Sequence, residues 1–114
     1  GFPAVRKCDV LVAMNQESLD KHLKDLKEDG VLILDSSNVD RIPETKVKMF
    51  KLLATETAKK TFGESIYANM ITLGALTKIT KIVTEESMKK AIRESVPERT
   101  AEANLNAFEK GLQL

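Results

Sequence analysis

After Asp9 the chain runs Val10, Leu11, Val12, Ala13 and Met14 without a polar break. A continuous rather than alternating apolar run predicts a strand covered on both faces, as in parallel sheets. Asn15 then fits a helix N-cap, because its side-chain oxygen can accept an orphan amide of the next turn. QESLDKHLKDLKED (16–29) predicts an amphipathic helix, with Leu19, Leu23 and Leu26 as its apolar stripe. Glu17–Lys21 and Asp20–Lys24 are i, i+4 pairs in the favourable order. EDG (28–30) breaks that helix, and VLILD (31–35) is a second continuous strand. The three elements make a βαβ unit with a right-handed crossover. SSNVDRIPE (36–44) reads as a loop. TKVKMFKLL (45–53) sets Val47, Met49 and Leu53 against Lys46, Lys48 and Lys51, an imperfect alternation. It predicts a third strand with one exposed face nearer an edge, with a helix as the alternative.

Beyond residue 53 the periodicity turns helical. ATETAKKTFG (54–63) predicts a short helix closed by Gly63 in a left-handed cap. A second helix runs from about Ser65 to Lys81. Thr84 caps a third, EESMKKAIRES, with Glu85 and Glu86 where the dipole favours anions. Ser95 and Glu98 have capping-box spacing, and Pro97 suits a first turn. In the final helix Ala101, Leu105, Phe108 and Leu112 share one side.

The stretch SIYANMITLGAL (65–76) is apolar on nearly every side, yet carries Asn69 and Gly74 inside it. Ile66, Met70 and Leu73 form one apolar face, and Ala68, Ile71 and Ala75 another. Asn69 and Thr72 lie on a third. A helix apolar all round is expected to be buried all round. Gly74 costs ~1 kcal/mol against Ala in a helix interior, which implies close approach by another backbone. A buried Asn69 needs partners, since an unpaired amide costs about 1–3 kcal/mol. Two readings stand. The helix packs within its own domain, or a surface including Asn69, Met70, Thr72 and Gly74 receives another polypeptide.

Composition narrows the classes. The 114 residues fit one domain, expected over 1–114. The net charge of +1 argues against a broad electrostatic surface for nucleic acid or a membrane. No apolar run approaches the ~18 residues of a membrane span. Cytoplasmic location is the expectation. Aromatic residues make up only 4%, leaving few platforms for stacking bases. One cysteine excludes an internal disulfide and a multi-cysteine metal site. GFPAVRKCDVLVAM opens without Met and enters a strand almost at once, as an interior segment of a longer protein does.

Candidate chemistry is sparse. The chain has no glycine-rich phosphate loop and no nucleophile elbow. His22 sits at the rim of a helix stripe and Cys8 precedes a strand, so a packing or surface role is favoured for His22 and a core role for Cys8. DSSN (35–38) lies just past a strand, where open α/β sheets place ligands, and Asn15 holds the equivalent place after the first strand. Asn15, Asp35, Ser36, Ser37 and Asn38 are therefore a candidate polar crevice. Turn chemistry alone also explains them. Lysines at 46–51 and 59–60 are a basic patch or a solvated face.

Several segments in order carry a resemblance: DVLVAMNQESLDKHLKDLKEDGVLILDSS (9–37), ATETA (54–58), ANMITLGAL (68–76) and AEANLNAFEKGL (101–112). The chain resembles the gamma subunit, or gamma domain, of the 2-oxoacid:ferredoxin oxidoreductases. Leu53 stands where that family often has Pro, and the family's GxGGQG segment is expected before residue 1. The resemblance implies an α/β fold: a mostly parallel sheet with covering helices and a helical C-terminal part, incomplete at its N-terminus. Residues 1–114 would be the C-terminal portion of the gamma domain. It further implies an enzyme that oxidatively decarboxylates a 2-oxoacid with coenzyme A, giving acyl-CoA, CO₂ and reduced ferredoxin. Thiamine diphosphate and iron–sulfur clusters would belong mainly to the other subunits, of alpha, beta and delta type. This chain would be structural, with no catalytic or cofactor-binding residue of its own. VAMNQ and the leucine-rich segment look nearest to the 2-oxoglutarate type, with pyruvate and branched-chain 2-oxoacids behind. LKDLKEDGVLILDSS also looks like a late methyltransferase segment. An S-adenosylmethionine- or nucleotide-binding transferase and a stand-alone interaction module are the competing expectations.

Overall fold

The computed structural model describes residues 8–114, and the reading of the opening residues 1–7 lies outside them. The chain expected to form one domain divides into two compact units, one ending at Leu53 and the other running Ala54–Leu114.

The first unit is a three-stranded sheet of β1 (Cys8–Ala13), β2 (Leu26–Asp35) and β3 (Lys48–Leu52) in the order β1-β2-β3. Both pairings are parallel, with Val10 opposite Val31 and Val31 opposite Lys48. The apolar runs explain the centre. Leu32, Ile33 and Leu34 of β2 are fully buried, as a strand paired on both sides requires. β3 is the edge strand that its lysines predicted.

The helix expected over 16–29 is shorter. Helix α1 spans Gln16–His22, a 3₁₀ turn spans Leu23–Asp25, and β2 has already begun at Leu26. Leu19 and Leu26 are still buried in one cluster, with Leu23 packed against it. The inward stripe was real, but pairing of Leu26 with Cys8 takes its last member into the sheet. EDG (28–30) is thus part of a strand rather than a helix stop. Cys8 faces Leu26 while Val10 faces Val31, so β2 carries a bulge opposite Asp9. Lys27 Nζ meets Asp9 Oδ1 at 2.9 Å across it. Gly30 permits the kink: a Cβ there would lie 2.9 Å from the Lys27 carbonyl oxygen and 3.0 Å from that of Asp9.

The second unit is helical: α2 (Ala54–Phe62), α3 (Ala68–Thr80), α4 (Glu85–Ser95) and α5 (Glu98–Leu112). Gly63 closes α2 with φ +78°, donating its N–H to the Lys59 carbonyl. A 3₁₀ turn at Ser65–Tyr67 precedes α3, so the predicted helix starts three residues later. Thr84 caps α4 as expected, its hydroxyl accepting from Ser87 N–H at 3.1 Å. The capping box at Ser95 does not form. Ser95 ends α4 and donates its hydroxyl to the Ala91 carbonyl, while Pro97 takes the cap position of α5. Ile92, Phe108 and Leu112 form the core, with Met70, Leu73, Met88, Val96 and Leu105 packed around them.

Candidate functional site

The candidate residues fall into two groups, one in each unit. In the first unit the polar residues gather at the C-terminal ends of the strands. Asp35 is 1% exposed. Its Oδ1 accepts from Ser37 N–H at 3.1 Å and its Oδ2 from Asn38 Nδ2 at 3.3 Å. Its carbonyl accepts from Asn38 N–H at 3.0 Å. Asn38 Nδ2 also reaches the Met14 carbonyl at 3.3 Å, beyond the end of β1. Ser36 donates both its N–H and its hydroxyl to the Leu52 carbonyl, at 2.7 and 2.9 Å, at the end of β3. Asn15 is spent on the cap, accepting from Ser18 N–H at 2.8 Å.

The structure therefore brings Asp35, Ser36, Ser37 and Asn38 together and joins them to both neighbouring strand ends. Hydrogen bonds from Ser36, Ser37 and Asn38 run to the Asp35 carboxylate and to backbone carbonyls. The chemistry of this arrangement is bracing: the buried Asp35 carboxylate orders the 35–38 turn, and from that turn Asn38 and Ser36 reach the ends of the two neighbouring strands.

Gln16 completes the brace and was not singled out from sequence. Its Oε1 accepts from Asp40 N–H and Arg41 N–H, both at 2.9 Å. Its Nε2 donates to the Arg41 carbonyl at 2.8 Å and to Asp20 Oδ1 at 2.9 Å. One amide thus pins the loop after β2 onto the start of α1. Its position directly after the cap residue was the available signal.

In the second unit Gly74 is the decisive position. A Cβ there would lie 2.1 Å from the Phe108 carbonyl oxygen and 3.0 Å from Gly111 Cα. A Cβ on Gly111 would meet the Ile71 carbonyl oxygen at 1.9 Å. α3 and α5 therefore cross backbone to backbone through two facing glycines. The predicted close approach is present, and its partner is α5 of the same unit. Thr72 is buried and donates its hydroxyl to the Ala68 carbonyl at 2.8 Å. Asn69 is exposed and Met70 half-buried. The helix expected to be buried all round is not: Asn69 and Lys78 face outward, and Ile66 in the turn before it is 70% exposed. Sequence periodicity counts apolar residues and cannot say how many neighbours surround them.

The remaining candidates stay apart. His22 is exposed, with Nδ1 3.7 Å from Asp25 Oδ2. Cys8 is a half-buried free thiol. Lys46, Lys48 and Lys51 are exposed, and Lys48 Nζ stands 5.5 Å from the centre of the Phe50 ring. Lys60 pairs with Glu56 at 3.0 Å on α2. Among the described residues no group of three His, Cys, Asp or Glu could hold a metal ion. No described helix is long and apolar enough to cross a membrane.

Comparison with known proteins gives these features a setting. The chain is 46% identical to the 2-oxoglutarate synthase subunit KorC of Methanocaldococcus jannaschii, over 99% of this chain and 62% of that protein. It is 42% identical to the subunit of the same name from Methanothermobacter thermautotrophicus, over 99% of this chain and 63% of that one. A solved keto/oxoacid ferredoxin oxidoreductase gamma subunit from Geobacter sulfurreducens shares the fold with a TM-score of 0.89 and 40% identity. That match covers 93% of this chain and 63% of the other. The chain thus spans about three-fifths of each of these relatives. The sequence pattern of the pyruvate ferredoxin/flavodoxin oxidoreductase family matches residues 2–114, and the chain belongs to that family.

Proposed function

We propose that this chain is the gamma-type part of a 2-oxoacid:ferredoxin oxidoreductase, and that 2-oxoglutarate is its 2-oxoacid. The enzyme oxidatively decarboxylates the acid with coenzyme A, yielding acyl-CoA, CO₂ and reduced ferredoxin. The observation that carries this reading is the 46% identity to a 2-oxoglutarate synthase subunit across 99% of the chain. Partner subunits of alpha, beta and delta type complete the enzyme in the cytoplasm.

Within it this chain is structural rather than catalytic. A four-iron cluster needs about four thiolates, and Cys8 is the one cysteine of these 114 residues, so such a cluster does not fit here. Thiamine diphosphate, bound on another subunit, supplies the electron sink for decarboxylation. What these residues supply is fixed shape. Asp35 and Gln16 hold the strand-end loops, and the Gly74–Gly111 crossing holds the helices. Surfaces held this way can meet larger subunits without an ordering cost at each encounter.

The test is anaerobic purification of the native protein from its host. Larger subunits, iron–sulfur absorbance and bound thiamine diphosphate are expected to accompany it. 2-Oxoglutarate-dependent ferredoxin reduction is expected to exceed that with pyruvate or a branched-chain 2-oxoacid. A protein that purifies alone and colourless overturns the assembly. Faster reduction with pyruvate overturns only the substrate.

A further inference from the structure

The helices of the second unit are held very unequally. α3 buries six of its residues and α5 four, and Gly74 and Gly111 lock their backbones together. Of the eleven residues of α4 only Ile92 is buried, while Met88 and Lys89 are half-buried. Val96 at its C-terminal cap is half-buried as well. The ion pair of Lys89 with Glu109 ties α4 to α5, but it is partly exposed, and such pairs contribute little. Once undocked, a helix of this length is marginal in water.

Both connections of α4 are free to bend. Residues 81–87 are exposed throughout, and Ile82 is 72% exposed, so nothing anchors the entry to the core. That entry begins at Lys81, whose φ of +54° is a left-handed backbone that favours glycine. At the exit Val96 and Pro97 are extended, with ψ 155° and 144°. The ladder of α4 therefore stops where Val96 N–H bonds the Ile92 carbonyl, and that of α5 starts anew.

We infer that α4 is a detachable strap. It lifts as one unit, hinged at Lys81 and at Val96–Pro97, and melts as it leaves, while α3 and α5 stay crossed. Lifting withdraws Met88, Ile92 and Val96 from the apolar cluster. It bares the part that α3 and α5 contribute, namely Met70, Leu73, Leu105, Phe108 and Leu112. The fold thus contains an apolar surface that the closed form hides and the open form presents. The inference concerns this unit alone and stands independently of the substrate and partner proposals.

Hydrogen exchange on the full-length polypeptide, resolved to single amides and repeated at low denaturant concentrations, tests it. The amides of Ala91, Ile92 and Arg93 are expected to exchange at least about tenfold faster than those of Ala75 in α3 and Phe108 in α5. Their rates should rise only weakly with denaturant, because a strap exposes little surface, whereas those of Ala75 and Phe108 should rise steeply. Equal rates and slopes in the three helices overturn the proposal, since α4 then opens only with the whole unit. An Ile92→Ala variant supplies the second reading. It is expected to lose protection over residues 88–95 while Ala75 and Phe108 remain slow. Loss of protection in all three helices together also overturns the strap.

Discussion

The two units fix their geometry by opposite means. In the sheet unit, side chains reach across gaps: Asp35, Ser36, Asn38 and Gln16 span loops with directional hydrogen bonds. In the helical unit side chains are removed: Gly74 and Gly111 let two backbones touch. Strand ends leave polar backbone groups that need partners, so polar residues accumulate there. Helix flanks have satisfied backbones, so closeness is limited only by side-chain bulk. The first strategy tolerates small adjustments, because a hydrogen bond can lengthen or a water can bridge it. The second does not, because backbone atoms cannot turn aside.

Substitutions should break the two strategies to different degrees. Gly111→Ala or Gly74→Ala is expected to cost about 3 kcal/mol, the upper range for overpacking, since the new methyl would overlap backbone rather than a flexible side chain. Denaturant titration followed by circular dichroism measures it. The double variant should lose less than the sum, because one separation of α3 from α5 relieves both overlaps. In the sheet unit, Asp35→Ala is expected to cost about 2 kcal/mol, by stranding donors that its carboxylate now satisfies. A larger loss there than at Gly74 would reverse the ranking. Next come the caps, one in each unit. Asn15→Ala and Thr84→Ala should each cost about 1 kcal/mol, and near equality would show that local capping is indifferent to the surrounding strategy.

The smallest effect is electrostatic. Lys89 of α4 pairs with Glu109 of α5, and the hydrogen bond to that carboxylate raises the lysine above its ordinary value. A raised lysine contributes fully below the unfolded value of about 10.4. That contribution is lost as pH rises through the folded value. Thermal melts between neutral pH and mildly alkaline pH should therefore show no change from this pair. The difference between the protein and its Lys89→Gln variant should shrink only in strongly alkaline solution.

Local signals were the legible ones. Asn15 and Thr84 were readable as caps because a cap depends on residues two or three away. Gly63 was readable as a helix stop for the same reason. The two continuous apolar runs located strands, and the lysines of 46–51 identified the edge strand. The boundary between α1 and β2 was not legible. Leu19, Leu23 and Leu26 satisfy a helical stripe, and nothing nearby reveals that Cys8 recruits Leu26 into a ladder. Gly74 showed that some backbone comes close, but not that Gly111, 37 positions later, is that backbone. The polar cluster was found as a set of residues. That its members face one another became visible only with the chain folded, because Met14, Asp35 and Leu52 are far apart along it.

That separation has a consequence for the order of events in folding. The Asp35–Asn38 brace ties the end of β1 to the loop after β2, and Ser36 ties the same loop to the end of β3. The first tie needs β1 and β2 docked in register, and the second needs β2 and β3. Each long-range tie thus follows a strand pairing and is expected to close after it; an unchanged folding rate with faster unfolding in Asn38→Ala would show this. Interactions absent from the transition state leave the folding rate unchanged and slow the escape from the native state. The cluster that sequence offered as a ligand crevice acts, on this view, as a latch that lengthens the lifetime of the folded sheet.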